Sequence, residues 1–137
     1  NKLKVVFKNA ACVPLPAPGF PNKTSDDPLV STFLPTEDLF KDSEERGVYK
    51  SIDGGDTWER VLFANKRSGA VDLILDPVNP DILYASTWNV RRSPYDFSSG
   101  GEGSALWKSS DGGKTWESLM DNKGMPEGTS GIIGVTV

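Results

Sequence analysis

Ser51-Ile52-Asp53-Gly54-Gly55-Asp56-Thr57-Trp58 and Ser109-Ser110-Asp111-Gly112-Gly113-Lys114-Thr115-Trp116 are nearly the same octet, and Ser109 follows Ser51 by 58 residues. The match extends from Lys50/Lys108 to Glu59/Glu117. A long-period internal repeat is the mark of an arrayed architecture, so it orders everything else in the chain. The octet has the chemistry of a tight β-hairpin turn. Asp-Gly-Gly supplies positions that tolerate positive φ. The Asp carboxylate and the Ser and Thr hydroxyls are short enough to bond the turn's own N–H groups. The closing Trp can lie on the hairpin with its indole N–H near a partner. Gly47-Val48-Tyr49-Lys50 and Ala105-Leu106-Trp107-Lys108 suit the strands entering the two turns, and 57–63 and 115–119 the strands leaving them.

Composition agrees with a chain of short strands. In 137 residues, 36% are apolar and 25% charged, with 14 Gly and 10 Pro. A net charge of −4 and the lack of a Lys/Arg run argue against nucleic acid and anionic membranes as partners. No apolar stretch reaches the roughly 18 residues of a membrane span. With no His in the sequence, Ser-His and Cys-His nucleophiles and His-ligated metals are excluded. Cys12 is the single cysteine, so no intrachain disulfide is possible, and an incidental thiol is expected. Asn9-Ala10-Ala11-Cys12 lacks the Leu and the apolar run of a lipoprotein leader. The chain begins with Asn rather than Met, which reads as a trimmed start. Asn22-Lys23-Thr24 is read as a chance sequon. No cofactor or metal is expected.

Strands are predicted at Leu3–Phe7, Leu29–Phe33, Ala70–Leu75, Ile82–Trp88 and Ile132–Val137, besides the two hairpins. The turn Asp76-Pro77-Val78-Asn79-Pro80-Asp81 ends one of them, because proline cannot continue ladder pairing. Residues 11–28 read as irregular loop, 34–46 as an acidic connection with room for a helical turn, and 89–104 as a long loop. Between the octets the order is strand, Pro-turn, strand, long loop, strand, octet, strand. Residues 25–33 echo 80–88, and 130–137 echo 68–75.

The pattern S-x-D-x-G-x-T-W resembles the Asp-box, or BNR repeat, of sialidases, xyloglucan-cleaving glycosidases, sortilin-type receptors and photosystem assembly factors. Over about residues 45–137, the DP-x-NP turn, Trp88-x-x-Arg91-Arg92, a Gly-rich stretch and the box resemble bacterial sortilin-like or glycosyl-hydrolase-like Asp-box proteins. The resemblance implies an all-β partial β-propeller built of antiparallel four-stranded blades. It divides a single 1–137 segment into an irregular first blade (about 1–63), a complete blade (about 70–120) and the first strand of another (131–137). A closed propeller takes about four to eight blades, so the expectation is a homo-oligomer or part of a larger propeller. Extracellular or periplasmic location is implied by the family alone.

In such blades the Pro-turns and boxes share one end, and loops 34–46 and 89–104 the other, where ligand contacts are expected. Ser51, Asp53, Gly55, Thr57, Trp58 and Ser109, Asp111, Gly113, Thr115, Trp116 are read as structural staples, and Trp58 and Trp116, like Tyr49 and Trp107, as core. Lys50 and Lys108 are read as solvated strand residues. Arg91 and Arg92 with Trp88, Tyr95 and Phe97 are candidate binding residues for a glycan or a protein or peptide, since rings stack sugars and Arg forks grip carboxylates. The alternative is that they order their own loop. The resemblance puts Asp72 on a channel-lining strand, where related glycosidases carry acids, with Glu37, Asp38, Glu44 or Glu45 as partner. Hydrolysis needs two carboxylates at a defined separation. The Arg-Ile-Pro motif of sialidases is absent, and neither box has calcium-loop spacing. Binding or scaffolding is therefore the first reading, part of a glycoside hydrolase the alternative, and an assembly module the third.

Overall fold

The glycines of the two octets take the conformations that their sequence asks for: Gly54 and Gly55 have φ of 74° and 100°, Gly112 and Gly113 of 71° and 85°. The computed structural model describes residues 41–137, together with the backbones of two short strands before them. The strands are β1 (Lys4–Val5), β2 (Leu29–Phe33), β3 (Gly47–Ser51), β4 (Glu59–Leu62), β5 (Ser68–Leu75), β6 (Leu83–Arg92), β7 (Phe97–Ser99), β8 (Ala105–Ser109) and β9 (Glu117–Ser118). They form two open sheets in the orders β1-β2-β3-β4 and β5-β6-β8-β9, with β7 paired to β6. The described chain is all-β, and its pairings are antiparallel except β1–β2, which is parallel. No described helix is long and apolar enough to cross a membrane. The expected loop 11–28, Cys12 and the sequon lie outside the described residues, as do residues 34–40 with Glu37 and Asp38.

Both octets are built alike to within a few tenths of an ångström. In the first, the Ser51 hydroxyl donates to Asp53 Oδ1 (2.7 Å) and accepts from the Gly55 N–H (2.8 Å). Asp53 also accepts from the Thr57 N–H (2.9 Å) and hydroxyl (2.5 Å). In the second, Ser109, Gly113 and Thr115 repeat those bonds on Asp111 and Ser109 at 2.6–2.9 Å. Trp58 and Trp116 each donate the indole N–H back to the Gly55 and Gly113 carbonyls. The Thr hydroxyl first, then the Thr N–H and the Ser hydroxyl, hold both Asp carboxyls well below the usual carboxylate range. These carboxylates are acceptors in a closed turn, with no proton to give at neutral pH.

A depressed folded pKa adds stability above the unfolded value of about 4, and that addition is lost as pH falls toward the folded value. The Asp53→Asn/Asp111→Asn variant is therefore expected to be less stable than the parent at neutral pH, by a margin that narrows in acid. Urea denaturation at stepped pH measures it; a margin independent of pH would contradict the reading.

Register explains how an irregular pattern still makes one core. Ala70 pairs with Thr87 and Asp72 with Ser86, so Val71 is an extra residue in β5. Strict alternation would send Ala70 and Leu73 to opposite faces; the bulge returns Leu73 to the face of Ala70. That face carries Ala70, Leu73, Leu83 and Ala85, which cluster with Val48 and Leu62 of the first sheet, while Leu75, Trp107 and Trp116 pack at the border. Trp58 stays half-buried against its own turn. Tyr49, also expected in the core, is half-buried and donates its hydroxyl to the Glu45 carbonyl. Lys50 departs from the expected solvated role: it is half-buried and its Nζ reaches the Gly112 carbonyl across the sheet interface (2.6 Å).

Three further expectations change. The expected loop 89–104 is in large part a hairpin, because β6 runs on to Arg92 and folds back as β7. Leu29 lies opposite Ser51 as Leu83 lies opposite Ser109, so the echo of 25–33 in 80–88 is one residue out of register. Residues 131–137, expected as the strand of a further blade, form none. The segment crosses the outer face of the second sheet instead of pairing at either of its edge strands, β5 and β9. Its Val135 N–H bonds Asp72 Oδ2 (2.9 Å) and its Ile133 carbonyl accepts from the Ser86 hydroxyl (2.7 Å).

Candidate functional site

The turn Gly100-Gly101-Glu102-Gly103 builds one wall of a concavity in the described chain. Gly103 has φ of 88°, and a Cβ there would stand 2.2 Å from Asn65 Nδ2 and 2.5 Å from Ser68 Oγ. Only glycine permits that approach. The Glu102 carbonyl accepts from Asn65 Nδ2 (2.9 Å), Asn89 Nδ2 (2.8 Å) and Ser68 Oγ (3.2 Å). The Gly103 carbonyl accepts from the Thr87 hydroxyl (2.6 Å), which in turn accepts from the Trp107 indole N–H (2.9 Å). The Ser104 hydroxyl accepts from the Asn89 N–H (2.8 Å). Loop, β6 and β8 are thus one hydrogen-bonded wall.

Against it lies a cleft of about 500 Å³ lined by Asn65, Glu102, Trp107, Met120 and Thr129 among others. Among the described residues, Glu102 is the only carboxylate in its lining, which contains no Lys or Arg. A half-buried indole beside hydroxyl, amide and backbone groups can stack an apolar ring face and bond its polar edge.

The candidate binding residues of the β6–β7 hairpin lie elsewhere, and none lines the cleft. Arg92 pairs with Phe97 across the hairpin. Trp88 bonds the Ser99 hydroxyl (3.1 Å) and meets Phe97 edge-on at 6.5 Å. Tyr95, at the tip, is 99% exposed. Arg91 turns to Asp42 Oδ1 (3.4 Å), which also holds Arg67 Nε (3.2 Å). Trp88 and Phe97 thus meet within the hairpin, while Tyr95 stands out at its tip and Arg91 turns back to Asp42.

Asp72 is half-buried on the outer face of the second sheet. Its Oδ1 accepts from the Leu73 N–H (2.9 Å), while Oδ2 holds Val135. Of its proposed partner acids, Glu44 pairs with Lys66 at 2.7 Å, and this contact lowers its pKa. The Glu45 carbonyl takes the Tyr49 hydroxyl (2.7 Å). Asn65, Met120 and Thr129 escaped sequence reasoning; the run of glycines at 100–103 was the available signal. Among the described residues, no group of three His, Cys, Asp or Glu could hold a metal ion.

No family model matches the chain, and neither the curated proteins nor the solved structures contain a match.

Proposed function

We propose that this chain is a binding module made of two blade-like units of the Asp-box β-propeller type, and that its cleft takes a neutral glycan. The observation that carries the reading is the cleft itself: an indole in a prebuilt polar wall and, among the described residues of the lining, one carboxylate and no cation. A lining without Lys or Arg disfavours acidic sugars, which require a positive partner. A volume of about 500 Å³ lies within the range of small-ligand sites. Hydrolysis is the weaker reading, since Glu102 is the only lining carboxylate among the described residues and Asp72 spends both oxygens on backbone N–H groups.

Calorimetric titration with a panel of neutral and acidic oligosaccharides tests the proposal. A neutral member is expected to bind, with affinity reduced about tenfold or more in Trp107→Ala. Trp107→Phe, which keeps a ring, should lose less. Binding restricted to acidic glycans, or binding indifferent to Trp107, would refute the site.

A further inference from the structure

The internal contact between the two sheets has a repeat-related counterpart whose two halves, Lys108 and the Gly54 carbonyl, do not meet in the described chain. Lys50, one residue before the first octet, crosses to the Gly112 carbonyl in the turn of the second. Lys108 holds the same place before the second octet. It lies on the outer face of its sheet, with Nζ 5.9 Å from the Tyr84 ring centroid. The counterpart of Gly112 is Gly54, and no donor among the described residues reaches its carbonyl. Burial follows the same division. Val48 is fully buried beneath the second sheet, whereas its counterpart Leu106 is half-buried. Gly112 and Gly113 are buried, whereas Gly54 and Gly55 are half-buried. Segment 130–135 lies across the second sheet's outer face, as its echo β5 packs over β2 and β3.

We propose that copies of this chain associate head to tail, the outer face of one second sheet receiving the first octet of the next copy, with Lys108 donating to that copy's Gly54 carbonyl. The interface continues the one inside the chain, so the same side chains at the same repeat positions make it. A contact between two different surfaces gives a ring if its rotation closes and a filament if it does not. This association does not depend on the glycan-binding reading, because neither Lys108 nor Gly54 lines the cleft.

Two variants block opposite ends. Lys108→Glu removes the donor. Gly54→Asn fills the acceptor end: a Cβ at Gly112 meets Lys50 Nζ at 3.7 Å, whereas one at Gly54 finds nothing within 4 Å in the single chain. Asn tolerates the φ of 74° there. Light scattering and sedimentation should show concentration-dependent association of the parent chain and monomers for each variant alone. An equimolar mixture of the two should give dimers, since it restores a single competent pair of surfaces. Near-ultraviolet circular dichroism checks that each variant is folded, with Lys108→Gln replacing Lys108→Glu if it is not. A parent chain that is monomeric at every concentration overturns the proposal. So does association that survives both variants, or a mixture that stays monomeric.

Discussion

Arg46→Ala is expected to lower the unfolding free energy by about 3–5 kcal/mol, as two hydrogen bonds from a charged donor are lost inside the protein. Arg46 is 1% exposed, directly before β3. Its Nη1 donates to the Arg67 carbonyl (2.5 Å) and its Nη2 to the Lys41 carbonyl (3.2 Å). One guanidinium thus fastens the entry to β3 onto the link that leads into β5. Truncation orphans both carbonyls and leaves a void the length of the side chain. Arg46→Met keeps most of that volume, so the difference between the two variants isolates the polar share. Urea midpoints at constant slope give both numbers. A loss below about 1 kcal/mol for Arg46→Ala would mean that solvent replaces the fork.

Leu83→Ala is expected to cost about 2–5 kcal/mol. Leu83 is fully buried at the start of β6, between β5 and β8, in the cluster that joins Leu73 and Ala85 to Val48 and Leu62. Its loss opens a cavity at the seam between sheets, where the backbone on both sides is fixed by ladder bonds and cannot collapse inward. Against a total of about 5–15 kcal/mol for a domain, either variant consumes much of the margin. The same denaturation series measures Leu83→Ala, and a slope change would reveal the sheets separating before they unfold.

Local chemistry was readable and long-range chemistry was not. The octets, their hairpins and the Pro-turn announce themselves within eight or fewer neighbouring residues. In the Pro-turn, Asp76 accepts from the Val78 and Asn79 N–H groups as an Asx turn does. The Val71 bulge shows only once β6 is paired to β5. Without it, Ala70 and Leu73 look like rivals for the core. Arg46 reads as one more charge in an acidic stretch, since the carbonyl that buries it is 21 residues away. Lys50 misleads for the same reason: its partner sits 62 residues on, in the other octet. The cleft joins residues 65, 102, 107, 120 and 129, which no spacing rule connects. The tail kept the composition of a strand without its structure, because an echo of β5 carries no information on whether a partner such as β6 follows it.

The two octets also set the order in which the chain can assemble. Each hairpin closes within a few residues, and hairpins form in about 1–10 μs. Joining the sheets instead requires contacts such as Lys50 to Gly112, and long loops close at a growing entropic cost. Folding should therefore begin with two nearly interchangeable hairpins, β3–β4 and β8–β9, competing for the same β6, which pairs with β8 in the finished sheet. Each β6 residue matched to the wrong hairpin must be released before the right one can dock. The single extra residue at Val71 distinguishes a correct ladder from a shifted one, because only the bulged register brings Ala70 and Leu73 to the same side. A one-residue irregularity outside both octets thus decides which way β5 faces once β6 has found its hairpin.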